Sequence, residues 1–255
     1  LFAGTDNGLY YSLNDGNNWS RMKNNLPPSP VYWISLQKRF DDMVVGTYGR
    51  GIYIMDDISP LRELAKKDLS MDQLLPTQSA YRFQMLQAMK SDGSSLINGR
   101  NPRYGANIDF YLSDDNKKTI FIEIKNKDLE VVRKLDVKKF TNGVNRIMWD
   151  LRYEPTTIPK LRVDPDGVNW VKYNSEGWRP LRTWDLDVNA GKLGPLAIPG
   201  EYIVTLKIDG KEYSNKFEVL KDPNTIGTLT DINDQFQFLF TLRNTINETV
   251  DLINK

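Results

Sequence analysis

Two stretches near the start of the chain repeat the same pattern of apolar and turn-forming residues. In each stretch an apolar run that ends in Gly-Thr is followed, after a polar turn, by a second apolar run. The two stretches cover residues 1–12 and 43–55, and the equivalent glycines Gly4 and Gly46 are 42 residues apart. Apolar runs bounded by Gly, Asn and Asp indicate strands joined by tight turns. The pattern therefore predicts two strand–turn–strand units, with a further strand over the apolar run 31–36 between them.

The 42-residue spacing of this repeat is typical of one class of β-fold. Steps of about 40 to 45 residues that contain several short strands are typical of β-propeller blades. Residues 1–58 are therefore predicted to form the closing blade, or parts of two blades, of a propeller. The repeat alone also allows two unrelated hairpins in an ordinary β-domain.

A change of pattern after residue 58 marks a predicted domain boundary. Ser59 is a candidate N-cap with Pro60 at the first helical position, and leucines follow at helical spacing. We expect a linker helix within residues 59–78.

From residue 79 to 222 the pattern returns to that of short β-strands. Seven such strands suggest an immunoglobulin-like or fibronectin-like β-sandwich. Residues 152–198 interrupt it as a long insertion with little regular pattern, which is unusual in a compact domain. The predicted strands are Ala80–Leu86, Asn107–Leu112, Thr119–Ile124, Glu130–Leu135, Val144–Trp149, Glu201–Ile208 and Lys211–Leu220.

The last segment, residues 223–255, is predicted to contain an amphipathic helix that begins near Thr228. Its apolar residues recur three and four positions apart, in a seam that Arg243 interrupts. Such a helix needs a partner surface, and a returning second helix is one arrangement that would supply it. The apolar positions are Ile232, Phe236, Leu239, Ile246, Val250 and Ile253.

Composition and charge exclude several classes of function. The 34 basic and 33 acidic residues leave a net charge of +1, whereas a nucleic-acid-binding protein normally carries a basic excess. Without Cys or His the chain cannot build zinc fingers, iron–sulfur sites or thiol- and imidazole-based catalytic centres. No apolar run reaches the roughly 18 residues of a membrane helix. We therefore predict no nucleic-acid partner, no membrane span, no cofactor and no metal.

The turn that follows the first repeat unit matches the Asp-box pattern Ser-x-Asp-x-Gly-x-Thr-Trp. Ser12, Gly16 and Trp19 agree with the pattern, and Asn14 stands in place of Asp. Asn14 can bond the nearby backbone, Gly16 can adopt a positive φ, and Trp19 can fold over the turn. The Asp box therefore predicts a structural turn between outer strands of a blade and not a catalytic site.

With the Asp box and the run 46–57, the chain resembles the C-terminal part of bacterial BNR-repeat, sortilin-type β-propeller proteins. The run resembles their blade-ending signature, although that signature usually has His where this chain has Tyr48. The resemblance continues in 147–152, in Gly194-Pro195 and in 199–202. Proteins of this kind are often labelled glycosyl hydrolases because of the repeat alone.

This resemblance implies a closing blade followed by a β-sandwich, with the remaining blades of the same polypeptide as partners. It also implies a secreted, periplasmic or cell-surface protein. Because Leu1 already lies inside a strand-like run, we expect the chain to be a piece of a longer protein. The expected function is a non-catalytic binding or assembly module, with carbohydrate or protein as its ligand. The alternative is a part of a glycoside hydrolase whose active site lies mainly in the missing blades.

The insertion carries the candidate ligand-binding residues. Aromatic rings beside carboxylates are typical of sugar-binding surfaces, because the rings cover apolar sugar faces and the charged groups bond hydroxyls. The alternative is that these rings anchor the loop to the rest of the fold. The candidates are Trp170, Tyr173, Trp178, Trp184, Asp185 and Asp187.

No residue is assigned a catalytic role. Asp185 and Asp187 would point the same way on a strand, but glycoside hydrolysis needs two acids roughly 5 to 10 Å apart in a cleft. Arg39, Arg50 and Tyr48 could supply only part of a sialidase-like site.

Two acidic turns, 114–116 and 164–167, could donate oxygens to calcium. Neither has the full set of ligands of a calcium-binding loop. We expect both to be solvated turns.

Overall fold

The computed structural model describes residues 1–83, 102–114, 116, 119–164, 166–168, 170–179 and 192–255. The fold is mainly β, with 38% of the described residues in strands and 15% in helices. It contains a curled sheet in the form of a half-barrel and a single C-terminal helix.

The first part of the chain forms two three-stranded antiparallel sheets that share one core. Their orders are β1–β2–β3 and β4–β5–β6, so each sheet follows the order of the sequence. Leu9 and Met22 from the first sheet region meet Met43 and Val45 from the second in a buried cluster. The strands are β1 (Phe2–Thr5), β2 (Gly8–Tyr11), β3 (Ser20–Arg21), β4 (Val31–Gln37), β5 (Asp42–Thr47) and β6 (Ile52–Met55).

The predicted linker helix is much shorter than the segment 59–78, and its cap is not the predicted one. Helix α1 covers Ser59–Leu64, and its N-cap is Ile58. Ser59 is instead the first helical residue, and its hydroxyl donates to Oδ1 of Asp57 at 2.6 Å. A turn in which Asp68 accepts from the backbone N–H and the hydroxyl of Ser70 follows the helix. Such turns compete with helical hydrogen bonding, so the leucine spacing does not continue the helix.

The second part of the chain forms two more sheets. One has five strands in the order β11–β10–β13–β14–β8, and the other has three in the order β12–β9–β7. Strand β7 lies inside the segment that was predicted as linker helix, and it pairs with β9. The strands are β7 (Gln73–Leu74), β8 (Ala80–Arg82), β9 (Ala106–Leu112), β10 (Ile120–Asn126), β11 (Val131–Asp136), β12 (Gly143–Trp149), β13 (Gly200–Ile208) and β14 (Lys211–Lys221).

Side chains from both of these sheets meet in a second hydrophobic core. Alternate residues of β10 and β13 point into it, as expected for strands with one buried face. Trp149 at the end of β12 is fully buried, and its ring lies 5.3 Å from that of Tyr202. Its Nε1 donates to the carbonyl oxygen of Arg152 at 2.8 Å, which satisfies the one polar atom of the ring.

The two ends of the predicted insertion 152–198 lie side by side. The backbone N–H of Tyr153 donates to the carbonyl of Pro195, and that of Ala197 donates to the carbonyl of Leu151. A Cβ added to Gly194 would lie 2.1 Å from the carbonyl oxygen of Tyr153, so only glycine fits there. The segment therefore leaves and re-enters the fold at one place.

Helix α2 covers Leu229–Asn254 and closes the second core. Thr228 and Asp231 form a reciprocal capping box at its start. Phe236 and Phe240 pack their rings against Tyr153 at centroid distances of 4.9 and 5.8 Å. The segment that begins at Tyr153 thus supplies the partner surface that the amphipathic pattern required.

Arg243 does not interrupt the buried seam of this helix, contrary to the prediction. Its guanidinium lies 4.7 Å from the centroid of the Phe240 ring, and its Nη1 donates to the carbonyl of Glu154. Further along, Asn247 and Asn254 accept from the backbone N–H groups of Thr157 and Lys160. Long polar side chains can cover an apolar surface and keep their polar ends bonded, so this seam continues through polar residues.

Candidate docking site

The sheet β1–β2–β3 is covered on one face by the sheet β4–β5–β6. On that face Gly4 pairs with Leu9 across strands, and Leu9 is only 1% exposed. A Cβ added to Gly4 would lie 2.5 Å from the carbonyl oxygen of Val31 in the next sheet. This distance is too short for any side chain, so Gly4 permits the close approach of the two sheets. In the first sheet, the face that contains Gly4 and Leu9 is therefore buried against the second sheet.

The second sheet has the equivalent face, and there it is uncovered. Gly46 pairs with Ile52 in β5–β6 as Gly4 pairs with Leu9 in β1–β2. Ile52 is nevertheless 73% exposed, and Ile54 two residues later is 63% exposed. We call this surface the open face. Its members are Trp33, Val44, Gly46, Ile52 and Ile54.

Aromatic side chains extend the open face at one end. Trp33 pairs with Gly46 across strands and is 72% exposed. The rings of Tyr32 and Tyr48 lie beside each other at 5.6 Å, and both are largely exposed to solvent. Contiguous exposed apolar surface of this kind marks interaction sites in soluble proteins. The open face and these two rings thus form an exposed apolar surface of this kind.

The residues considered for a sialidase-like site are not brought together. Arg39 lies in the turn between β4 and β5, whereas Arg50 lies in the turn between β5 and β6. These turns are at opposite ends of β5. The guanidinium of Arg39 lies 5.6 Å from the centroid of the Tyr81 ring, and Tyr48 contacts Tyr32.

The Asp-box residues form a tight turn between β2 and β3. The hydroxyl oxygen of Ser12 accepts from the backbone N–H of Gly16 at 2.8 Å. The side-chain oxygen of Asn14 accepts from the Ser12 hydroxyl and from the N–H of Asn18, so the amide oxygen takes the place of a carboxylate. The indole of Trp19 lies 3.8 Å from the position of a Cβ built on Gly16. These contacts all hold the turn itself.

The described candidate ligand residues Trp170, Tyr173 and Trp178 lie in a short hairpin-like segment closed by a bridge between Leu161 and Arg179. The hydroxyl of Tyr173 donates to Oδ1 of Asp164 at 2.6 Å. The indole N–H of Trp178 donates to Oε2 of Glu176 at 2.9 Å. These two rings therefore have their polar atoms bonded within the segment.

Of the remaining predicted ligand residues, the structure describes only Trp170. Trp170 is 63% exposed, so its ring is accessible to a ligand. Trp184, Asp185 and Asp187 lie outside the described residues.

An ion cluster that the sequence reasoning missed lies between the two parts of the chain. Nε and Nη2 of Arg146 donate to the two carboxylate oxygens of Asp109 at 2.7 and 2.9 Å. Nη2 also donates to Oδ2 of Asp57 at 3.2 Å, and Nη1 donates to the carbonyl of Asp56. Arg146 thus connects β12 and β9 with the turn that follows β6. The signal in the sequence is Asp109 itself, an acid between the apolar residues Ile108 and Phe110 of a strand. Buried acids are nearly always paired.

Burial dominates the electrostatics of this cluster. It raises the pKa of Asp109, and the hydrogen bonds and charge of Arg146 offset this only in part. Burial and then the charge of Asp42 raise the pKa of Asp56. Burial alone would lower the pKa of Arg146. The hydrogen bonds to Asp109 and the negative charges of Asp109 and Asp57 outweigh this effect, so the net shift of the pKa is upward. Arg146 therefore keeps its charge, and the cluster is an ion-paired connection.

A separate cleft of about 600 Å³ carries the acids Asp68, Asp72 and Asp114. Hydrogen bonds from the backbone and then the hydroxyl of Ser70 lower the pKa of Asp68. A glycosidase acid requires the opposite shift. Over the part of the chain that the structure describes, no group of three or more acidic side chains is placed to hold a metal ion.

Comparison with protein-family models, with curated proteins and with solved structures finds no match to this chain. None of the helices within the described ranges is both long and apolar enough to cross a membrane.

Proposed function

We propose that this chain is a non-catalytic assembly module from the C-terminal part of a BNR-repeat, sortilin-type propeller protein. In this proposal residues 1–58 are two successive blade sheets. The open face of the second sheet binds a further blade sheet of the same polypeptide. The observation that carries the proposal is the contrast between Leu9, which is 1% exposed, and its equivalent Ile52, which is 73% exposed.

The exposed apolar side chains of the open face make docking of a further sheet favourable. Covering a side chain such as isoleucine contributes roughly 1.5 to 3 kcal/mol, and Ile52, Ile54 and Trp33 are each more than 60% exposed. Gly46 has no side chain of its own, but a Cβ built there would lie 3.3 Å from Cβ of Trp33, so a partner sheet would meet the Trp33 side chain beside this glycine.

The remainder of the chain completes the proposed module. We assign residues 79–222 to an immunoglobulin-like or fibronectin-like sandwich, since two sheets of this region share one core. The segment 152–198 is then an insertion that is closed where its ends pair. By the same resemblance, we propose a secreted, periplasmic or cell-surface location.

A charge on the open face tests this function. Ile52→Glu should leave the thermal stability of the 255-residue chain nearly unchanged, because Ile52 is already exposed. In the longer polypeptide that includes the proposed neighbouring sheet, the same substitution should destabilise by on the order of 2 kcal/mol or more.

Leu9→Glu is the matched control, because the equivalent position is already covered. It should destabilise both forms of the protein. If Ile52→Glu is equally harmless in the longer polypeptide, the open face does not bind a further sheet.

A second candidate function is carbohydrate binding by the insertion, favoured by the exposure of Trp170. Titration with neutral oligosaccharides should then quench tryptophan fluorescence. Trp170→Ala should weaken binding by about 1 kcal/mol, roughly fivefold. Unchanged affinity in Trp170→Ala, or no binding by the unmodified chain, would count against this function.

A further inference from the structure

The two repeat units at the start of the chain can be aligned strand by strand. The pair of Gly4 and Leu9 in the first sheet corresponds to the pair of Gly46 and Ile52 in the second. Strand β1 therefore corresponds to β5, and β2 corresponds to β6. In the first sheet β2 is paired on its far side with β3. Within the described residues the second sheet ends at β6, so it has no strand in the position of β3.

The backbone of β6 presents hydrogen-bonding groups at this vacant position. The N–H of Thr47 donates to the carbonyl of Gly51, and along an antiparallel ladder hydrogen-bonded pairs alternate with pairs that are not bonded. The N–H of Tyr53 is therefore directed at β5, whereas the N–H and C=O groups of Ile52 and Ile54 point away from β5. No backbone group in the described ranges bonds them. We call these four groups the free edge of β6.

The first sheet shows what binds at the corresponding edge. There the carbonyl of Leu9, the residue equivalent to Ile52, accepts from the N–H of Met22 at 2.9 Å. The Met22 side chain is 5% exposed and lies in the same buried cluster as Leu9. A short strand with an apolar residue opposite Leu9 thus completes the first sheet, and this strand belongs to the same polypeptide.

The composition of β6 suits pairing with a further strand. Natural proteins protect exposed sheet edges with charged residues, prolines or β-bulges. Strand β6 has the sequence Ile-Tyr-Ile-Met and pairs with β5 without a register shift, so it has none of these protections. At the other edge of the same sheet, the register of β4 shifts between Val31 and Trp33. Of the two edges, β6 is therefore the one that can accept a regular strand.

The residues that directly follow β6 are held elsewhere. In the first sheet, the Asp-box turn leads β2 back into β3. After β6 the chain instead passes to Asp57, whose N–H donates to Oδ1 of Asp42 and whose carboxylate accepts from Nη2 of Arg146. The chain then enters helix α1. A strand at the free edge therefore comes from a segment that is distant in the sequence.

We propose that the free edge of β6 binds a short extended segment of the same polypeptide from outside residues 1–255, in the pairing that β3 makes with β2. This proposal rests on the proposed function, which places the chain in a longer polypeptide, but it concerns the edge of the second sheet and not its open face. Strand addition of this kind gains affinity from main-chain hydrogen bonds and specificity from alternate side chains. The segment should carry an apolar residue opposite Ile52, as Met22 lies opposite Leu9.

Amide hydrogen exchange resolved by residue distinguishes pairing at the edge from docking on the open face. In the longer polypeptide the N–H groups of Ile52 and Ile54 gain hydrogen-bond partners, whereas that of Tyr53 already bonds β5. Relative to the 255-residue chain, exchange at Ile52 and Ile54 should therefore slow about tenfold more than exchange at Tyr53. Equal slowing of all three amides, or no slowing, would overturn the proposal.

A substitution that removes one backbone donor gives a second test. Ile54→Pro removes an N–H of the free edge and keeps an apolar side chain, and proline is tolerated where the N–H of an edge strand faces solvent. It should lower the thermal midpoint of the 255-residue chain by no more than about 4 °C. In the longer polypeptide it should abolish the additional slowing at Ile52. The matched control Ile54→Val keeps the N–H and should retain that slowing.

The outcomes separate this proposal from the proposed function. If Ile52→Glu destabilises the longer polypeptide but exchange slows equally at Ile52, Tyr53 and Ile54, the open face binds a sheet and the edge pairing is wrong. If Ile52→Glu is harmless but slowing is concentrated at Ile52 and Ile54, the edge pairing stands and the open-face proposal fails. Slowing in the 255-residue chain that rises with protein concentration would show a second copy at the edge, which also overturns the proposal.

Discussion

At the scale of single residues, the connection between the two parts of the chain depends on Arg146. Its guanidinium bonds both oxygens of Asp109, whose side chain is 3% exposed, and also reaches Asp57. A buried carboxylate that loses its partner is costly, because it has neither water nor an opposite charge to stabilise it. Arg146 therefore holds the turn after β6 against β9 and β12.

Arg146→Met should destabilise the chain by on the order of 3 kcal/mol at pH 7. The loss should shrink as the pH falls. Burial already raises the pKa of Asp109 in the folded state, and Arg146 offsets this in part, so the variant should raise it further. The cost of the Asp109 charge falls as the pH drops through the folded pKa and is gone below the unfolded pKa. Urea denaturation at pH 7 and pH 4 measures both effects.

The control for this prediction is Arg62→Met. Arg62 pairs with Asp41, but its side chain is 44% exposed, so its loss should cost less than about 1 kcal/mol. Equal losses in the two variants, or a loss for Arg146→Met that does not change with pH, would contradict this account of the cluster.

At the scale of elements, helix α2 packs through one side of its surface, where Phe236 is buried together with Ile232 and Val250. Phe236 is 7% exposed, and its ring stacks on that of Phe240 and meets that of Tyr153 at a tilt. Phe238, two residues away, is 69% exposed. The two phenylalanines differ only in which side of the helix they occupy.

Phe236→Ala should therefore cost about 3 kcal/mol of unfolding free energy, because it removes a buried ring and leaves a cavity. Phe238→Ala should change stability by less than about 0.5 kcal/mol. Chemical denaturation of the two variants measures the difference. Similar losses would show that the helix does not pack as described.

The sequence predicts strands better than it predicts short helices and polar contacts. The strand pattern places β12 and β13 within one or two residues, because alternation of buried and exposed positions is a local property. Helix α1 ends early because the turn at Asp68 and Ser70 competes with it, and this competition is not visible in leucine spacing. The ion cluster joins residues up to 90 positions apart, and only the tertiary fold brings them together.

At the scale of the whole molecule, the first two sheets have the same strand pattern but differ in packing. The face that contains Gly4 and Leu9 is covered by the second sheet, whereas the equivalent face of the second sheet is exposed. The strand–turn–strand pattern predicts the equivalence of Gly4 and Gly46. It does not predict that Leu9 is covered whereas Ile52 is not, because coverage depends on a neighbouring sheet. Of the predicted ligand residues, the structure shows Trp170 exposed and Tyr173 and Trp178 bonded within their own segment.

Amide hydrogen exchange over β6 (Ile52–Met55) tests the open face most directly, when the 255-residue chain is compared with the longer polypeptide that contains the proposed neighbouring sheet. Docking of that sheet should cover this edge strand and slow its exchange at least tenfold in the longer polypeptide, because local opening then costs at least 1.4 kcal/mol more. The central strand β10 (Ile120–Asn126), which is paired on both sides, serves as the internal reference and should exchange equally in both. Equal exchange over β6 in the two proteins would contradict the proposal that the open face binds a further sheet.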